Sequence, residues 1–311
     1  MSNINLTILM ATYNGEKYLE EQLESLLNQS YKAYKIICND DCSTDSTFKI
    51  LKEYEAKYST IIKVTQNKKQ LGVVSNFEKL ISETKTEYIA LCDQDDIWEK
   101  EKLMISIKAL EDERNLDIPL LFHCDLTLVN SNLEKVHSSF FKTRCYSFPK
   151  KRSIDILLGR SGVMGNTMVF NQKLKEKILP FPKFLVVHDY WIALMNEATG
   201  KRITYSKSLI KYRIHHNNTS AILRKSFKNK ILERKITLPY QNIKREEVLK
   251  IFLTRVLLTS KEIETVRDFI QYLEFKKSKL YIIYLVITYK FFRYGFKYKL
   301  KLIGAIVWKK R

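Results

Sequence analysis

Leu91-Cys92-Asp93-Gln94-Asp95-Asp96-Ile97-Trp98 is the stretch around which this 311-residue chain is organised. The run leading into it, Tyr88-Ile89-Ala90-Leu91-Cys92, is short and apolar and carries a β-branched and an aromatic residue, so it reads as a buried strand. It ends in three carboxylates spread over four positions. Like charges this close repel, and they are hard to keep ionised together without a cation between them. Asp93 and Asp95 are two apart, so regular strand geometry points both side chains the same way. There they can present oxygen to a hard divalent cation, Mg²⁺ or Mn²⁺. An isolated D-x-D can equally be a solvated acidic turn. The rest of the chain decides between the two.

Upstream, Leu6-Thr7-Ile8-Leu9-Met10-Ala11-Thr12-Tyr13 reads as a strand ended by Asn14-Gly15. Leu19, Leu23, Leu26 and Leu27 then form one apolar stripe of a helix. Tyr34 to Cys38 is a second strand, followed by the polar turn Asn39 to Thr47 and a helix bearing Phe48, Leu51, Tyr54 and Tyr58. Ile61 to Thr65 is a third strand, and Phe77 to Ile81 belongs to a third helix. Strands alternating with helices predict an α/β chain with a mostly parallel central sheet flanked by helices. Ligands of such sheets sit at the carboxyl ends of the strands. Here those ends carry Thr12-Tyr13-Asn14, Asp40-Asp41 and Asp93-Gln94-Asp95. An aromatic face and acidic groups converge on one rim, as a pocket for a base, a ribose and a metal-bound phosphate requires. No G-x-G-x-x-G follows the first strand and no G-x-x-x-x-G-K-[ST] occurs, so dinucleotide and P-loop readings lack their phosphate cradle. A phospho-acceptor receiver domain would want acids after the first strand, where this chain has Tyr13-Asn14.

Four motifs, Ala11 to Gly15, Asp40 to Thr47, Asn76-Phe77 and Asp93 to Trp98, occur in the order and spacing of the family-2 glycosyltransferases with a GT-A fold. The chain resembles that family over about residues 5–220, in particular its bacterial rhamnosyltransferase-like subgroup. The resemblance implies that Ala11 and Tyr13 line the nucleotide, Tyr13 lying against the base and Asp41 hydrogen-bonding it. It places Asp93 near the ribose and metal, with Asp95 ligating a divalent cation that bridges the donor diphosphate. Cys42 stands where the family usually has Gly, which bears on the turn rather than on the donor.

Further along, Leu120 to Cys124 reads as a strand. His123-Cys124-Asp125 invites a metal reading, but consecutive strand residues point to alternate faces. Ile154 to Arg160 looks helical, and Gly162 to Phe170 reads as a glycine-containing turn entering a strand. By the resemblance this region, with Asn166, lines the acceptor or donor-sugar side. Asp189 opens an apolar helical run, where a carboxylate serves as N-cap. The family places its general base at such a point, and an inverting transfer needs one carboxylate to take the acceptor proton. His188 and Trp191 would then flank the sugar. After Tyr212-Arg213, His215 resembles the family's late histidine that reaches back to the metal or diphosphate. Arg213 itself could face phosphate or form a rim salt bridge.

The net charge of +20 is unevenly spread: residues 221–311 carry +16 and residues 1–220 carry +4. The expected division is therefore a glycosyltransferase domain, 1–220, and a basic, aromatic-rich helical extension, 221–311. Leu280 to Tyr289 is strongly apolar but stops at Lys290, short of the ~20 residues that span a bilayer. Aromatics mixed with cations suit a headgroup interface. Packing or self-association competes with this, and nucleic acid ranks last because no recognised nucleic-acid motif accompanies the charge. Five scattered cysteines without a C-x-x-C suit a reducing cytoplasm, and the start shows no secretory signal. The expectation is a metal-dependent, inverting transfer from a UDP- or dTDP-linked sugar to a saccharide acceptor, lipid-linked, at the inner face of the plasma membrane. Its competitors are a membrane-surface or nucleic-acid binding protein on a non-catalytic scaffold, and an inactive relative that binds donor only.

Overall fold

The computed structural model describes residues 4–159, 161–214, 244–274 and 277–289, with a few isolated positions between 291 and 307. Its strands are β1 (Leu6–Thr12), β2 (Lys35–Asp40), β3 (Ile62–Gln66), β4 (Tyr88–Cys92), β5 (Ile97–Trp98), β6 (Leu120–Val129), β7 (Lys135–His137), β8 (Val169–Asn171) and β9 (Lys201–Arg213). The helices are α1 (Glu16–Leu27), α2 (Thr47–Lys57), α3 (Val73–Glu83), α4 (Lys102–Glu111), α5 (Phe140–Thr143), α6 (Asp155–Gly159), α7 (Gln172–Ile178), α8 (His188–Thr199), α9 (Arg245–Arg255), α10 (Ser260–Glu274) and α11 (Lys279–Thr288).

One sheet runs β3-β2-β1-β4-β8-β6-β9-β5, with β7 paired to β6. The first four strands are parallel, as their alternation with helices predicts. Beyond β4 the sheet is mixed: β8 is antiparallel to both β4 and β6, β9 runs parallel to β6, and β5 is antiparallel to β9. Short antiparallel strands need no crossover helix, which is why helix–strand alternation in the sequence does not announce this half.

The strands alternate with period two between two helical layers. Ile8, Met10, Ile36, Cys38, Ala90, Cys92, Phe122 and Val169 face α1, α2 and α4, where Leu19, Leu23 and Leu26 form the buried stripe of α1. Leu9, Ile89, Leu91, Leu121 and Phe170 face the opposite layer with α3, α7 and α8. That second cluster also takes in Val248, Leu249 and Phe252 of α9, Val266 and Phe269 of α10, and Ile282 and Leu285 of α11. The C-terminal helices thus fill the same apolar layer as the sheet. Among the described residues, no helix is long and apolar enough to cross a membrane.

Topology sets the acidic stretch. β4 lies at the centre of the sheet and β5 at its far edge against β9, so Asp93 to Asp96 bridge two strands that are not neighbours. The carboxyl ends of β1, β2 and β4 come together beside them.

Candidate active site

The end of β1 is locked to the acidic stretch through one side chain. Gln94 accepts from the Tyr13 backbone N–H at 2.8 Å and returns its Nε2 to the Tyr13 carbonyl at 2.9 Å. A Cβ on Gly15 would fall 2.4 Å from the Gln94 carboxamide, so only glycine leaves room for the clamp. Asn14 takes a left-handed φ of 46°, which Asn tolerates better than most residues. Its side chain accepts from Thr44 N–H at 2.8 Å, tying the first motif to the second. Tyr13 remains 43 % exposed, so its ring is available to a flat partner. Ala11, on β1, pairs with Asn39 of β2 at the same end.

The two acids at the end of β2, Asp40 and Asp41, organise the rim. Asp40 is buried and accepts from Ser43 N–H at 2.9 Å, Gln66 Nε2 at 2.9 Å and Thr12 Oγ1 at 3.2 Å. Asp41 is also buried, and its carboxylate accepts from Asn67 Nδ2, Leu71 N–H and Gly72 N–H, each at 2.8 Å. In this structure Asp41 therefore orders the 67–72 loop. Cys42 has φ 64°, the conformation glycine adopts most cheaply, and its thiol reaches the Asn67 carbonyl at 3.1 Å.

In the acidic stretch, Asp93 is half-buried. Burial, then the charges of Asp95 and Asp189, push its carboxyl up to about 7. Asp96 is fully buried and accepts from Asn166 Nδ2 at 2.5 Å and Arg213 N–H at 3.1 Å. Arg213, almost fully buried, is the anchor of the turn. Its Nε donates to the Asp95 carbonyl at 3.0 Å, its Nη1 to the Ser131 carbonyl at 2.7 Å and its Nη2 to Glu21 at 2.7 Å. The same guanidinium lies 4.3 Å over the Tyr18 ring. Lys102 is buried beneath, with Nζ 3.2 Å from the Trp98 ring centroid, and burial pushes it down to about 8.

Asp189 stands opposite, in the first turn of α8. Val187, not Asp189, occupies the N-cap position. Burial pushes the Asp189 carboxyl up to about 6, while the Gly165 and Tyr190 N–H groups and the charge of Arg245 pull it down. Gly165 N–H donates to its Oδ2 at 3.3 Å. Arg245, from α9, donates to the Gly159 carbonyl at 3.0 Å and lies 4.2 Å over the Tyr190 ring. His188 stacks on Phe77 with centroids 4.4 Å apart, and burial pushes it down to about 4, so it is neutral at pH 7. A Cβ at Gly165 would meet His188 Nε2 at 3.0 Å. His188 Nε2 and Asn166 Oδ1 are buried without a hydrogen-bond partner among the described residues.

The sheet thus gathers Tyr13, Asp93 to Asp96, Asn166, His188 and Asp189. Trp191 is not among them: it is fully buried and spends its indole N–H on the Ile178 carbonyl at 2.8 Å. His215 lies outside the described residues. Gln94 and Arg245 were not legible as residues that build the site: Gln94 looks like a neutral spacer and Arg245 sits in the basic tail. Arg213, read as facing phosphate or a rim ion pair, instead anchors the turn from within, on the Asp95 and Ser131 carbonyls and Glu21. His123, Cys124 and Asp125 do not converge: His123 pairs with Thr204 and Asp125 with the Ser139 and Phe141 region.

Among the described residues, no group of three or more His, Cys, Asp or Glu is placed to hold a metal ion by itself. The donor set still fits a magnesium-type ion, which takes one or two carboxylates and completes its shell with phosphate and water. Asp93, pressed by two neighbouring carboxylates, is the kind of group such an ion relieves.

Comparison with known proteins bears on the family and the fold. The dTDP-rhamnosyl transferase RfbG of Shigella flexneri is 31 % identical over 225 residues, 67 % of this chain and 72 % of that protein. The putative glycosyltransferase EpsE of Bacillus subtilis is 37 % identical over 117 residues, 38 % of this chain and 42 % of that one. Among solved structures, S. aureus TarS 1–349 in complex with UDP-GlcNAc superposes with a TM-score of 0.62 at 15 % identity, covering 97 % of this chain and 79 % of that one. That likeness establishes the GT-A fold. The family model described as glycosyl transferase family 2 matches residues 7–179, and since this is more than half its length the chain belongs to glycosyltransferase family 2.

Proposed function

We propose that the chain transfers a sugar from a nucleotide-diphospho-sugar to a hydroxyl of a saccharide acceptor, with inversion at the anomeric carbon. The observation that carries this reading is the half-buried carboxylate of Asp189, held near 6 at the first turn of α8 and within electrostatic reach of the Asp93–Asp95 stretch. A base of that strength is ionised at neutral pH and accepts a proton as the acceptor oxygen attacks.

Tyr13 offers an exposed ring for the base, on a backbone fixed by Gln94. Asp41 shapes the loop beside it. Asp93 and Asp95 would hold Mg²⁺ or Mn²⁺, which when bound neutralises the departing diphosphate. Arg213 fixes the turn that presents these two acids. Buried polar atoms on Asn166 and His188, adjoining Gly165, are suited to sugar hydroxyls, because a desolvated donor or acceptor gains most from a partner. His215 is proposed to reach the diphosphate on the grounds of its motif.

The names of the relatives favour particular substrates. One is a dTDP-rhamnosyl transferase, and a putative teichuronic acid biosynthesis glycosyltransferase from Bacillus subtilis is 35 % identical over 98 residues. GalNAc-T7, solved with UDP, GalNAc and Mn²⁺, shares the fold with a TM-score of 0.51. Together these favour a UDP- or dTDP-linked donor, with rhamnose among the sugars to try; the acceptor we propose is a lipid-linked saccharide of a surface polysaccharide such as O-antigen or capsule, which suits the basic, aromatic-rich extension. The enzyme would then work at the cytoplasmic face of the plasma membrane, its extension as the peripheral attachment and 1–220 as the catalytic part.

Thermal unfolding with UDP or dTDP, each with and without Mn²⁺, tests the donor half. Stabilisation by a nucleotide only when the cation is present is expected, and indifference to both nucleotides would overturn the reading. Asp189→Asn tests the chemistry: turnover falls at least ~100-fold while the nucleotide shift is kept. Near-native turnover in this variant would remove Asp189 from the role of base.

A further inference from the structure

α11 presents two apolar faces. Ile282, Leu285 and Val286 are buried in the cluster shared with Trp191 and Phe252. On the other side, Leu280, Tyr284 and Ile287 are 80, 55 and 58 % exposed. Their spacing of four and three residues sets them in one line along the helix. Lys279 Nζ donates to the Val307 carbonyl at 2.7 Å, which brings Val307, itself 51 % exposed, beside the start of that line. Single exposed apolar side chains are ordinary on a protein surface; an aligned set is a contact surface.

Along the sequence, the charge of this segment has one sign. From Lys279 to Arg311 the sequence holds nine Lys/Arg and no Asp or Glu. Of the acids near it, Asp268 of α10 accepts the hydroxyls of Tyr281 at 2.6 Å and Tyr289 at 2.7 Å, Glu264 acts on the same two tyrosines through its charge, and Glu274 faces Lys250 at 3.5 Å. A second copy of the chain would bring like charge against like. A nucleic acid would satisfy the cations and leave the apolar line in water. An anionic lipid leaflet satisfies both the apolar line and the basic sequence that carries it.

We propose that the Leu280–Tyr284–Ile287 face docks α11 flat on an anionic lipid leaflet. The helix is ten residues, about 15 Å long, so it lies in the interface and does not cross it. Its inner side packs into the layer that also holds α8, which ties the docked surface to the helix bearing Asp189. This deepens the membrane reading given above and rests on it.

The test is sedimentation of the full chain with vesicles of phosphatidylcholine alone or mixed with phosphatidylglycerol. Wild type is compared with the combined Leu280→Ser, Tyr284→Ser, Ile287→Ser variant, and with Leu257→Ser as a control, because Leu257 is 96 % exposed but off this face. All of these positions are exposed, and an unchanged melting temperature verifies the fold. Wild type and the control should partition onto the anionic vesicles, with the triple variant reduced about 30-fold or more. Equal partition of wild type and triple variant overturns the assigned face while leaving membrane attachment standing. No partition of wild type onto anionic vesicles overturns both, and an equal loss in the control overturns the assignment as well. The assay contains no donor sugar, so its outcome is independent of transfer activity.

Discussion

Asp93→Asn should stabilise the metal-free protein at neutral and alkaline pH. Burial and the charges of Asp95 and Asp189 raise the Asp93 carboxyl from an ordinary 3.8 to about 7. The folded state therefore keeps this proton up to about pH 7, whereas the unfolded chain releases it near pH 3.8. Between those values the native state binds more protons, so its stability falls as pH rises and levels off above pH 7. Taken whole, a displacement of about three pH units is worth about 4 kcal/mol. Asp93 is only half-buried and an Asn there is still desolvated, which reduces the gain to about 1–2 kcal/mol. For a chain of 311 residues that is roughly 1.5–3 °C in melting temperature. The assay is thermal unfolding of wild type and variant in a chelator, from pH 4 to pH 8.5. The variant's advantage should be near zero at pH 4, grow to pH 7 and then stay flat. Added Mn²⁺ should raise the wild-type melting point more than the variant's. An Asn variant no more stable than wild type at pH 8, or an advantage that shrinks as pH rises, would refute the reasoning.

Turnover of the wild type should lose its activity on the acid side with a midpoint near pH 6, as Asp189 takes up its proton; a profile flat from pH 5 to pH 8 would separate catalysis from that carboxylate. Gly15→Ala drives a methyl group into the Gln94 carboxamide, so the clamp on Tyr13 must open. Stability should fall by about 1–3 kcal/mol, and nucleotide affinity, read by calorimetry, should fall with it. Arg213→Met removes a buried guanidinium that serves the Asp95 and Ser131 carbonyls and Glu21, and takes that donor from all three. A loss of about 2–4 kcal/mol is expected in urea unfolding, with the cation-dependent shift in melting temperature abolished.

The first hundred residues disclosed their architecture because each strand and helix carries its own period. Leu19, Leu23 and Leu26 are helical neighbours, while Ile8 and Met10 alternate with Leu9. The rim residues followed from topology, since parallel strands of one unit place their carboxyl ends together. What stayed hidden is pairing over long separations. Nothing near Arg213 in the sequence says that β9 will run parallel to β6 and deliver it to the Asp95 carbonyl, more than a hundred positions away. Asp41 sits at the expected strand end, yet the backbone N–H groups of Leu71 and Gly72 that occupy its carboxylate carry no side-chain signature. Trp191 lies on the expected helix, but helical phase near its start was not enough to tell the inner face from the outer, and the ring turned into the core.

The apolar layer shared by the sheet and the C-terminal helices has a bearing on how the protein is made. Leu9 and Ile89 emerge from the ribosome long before Phe252, Phe269 and Leu285, which pack in the same cluster. At about 5–20 residues per second, the earlier strands wait roughly 10–50 s for those partners. Helices α3, α7 and α8 cover the strands meanwhile, but the apolar layer they share with Trp191 stays open until α9 to α11 follow, so chaperone attendance on the half-made polypeptide follows from the order of its helices.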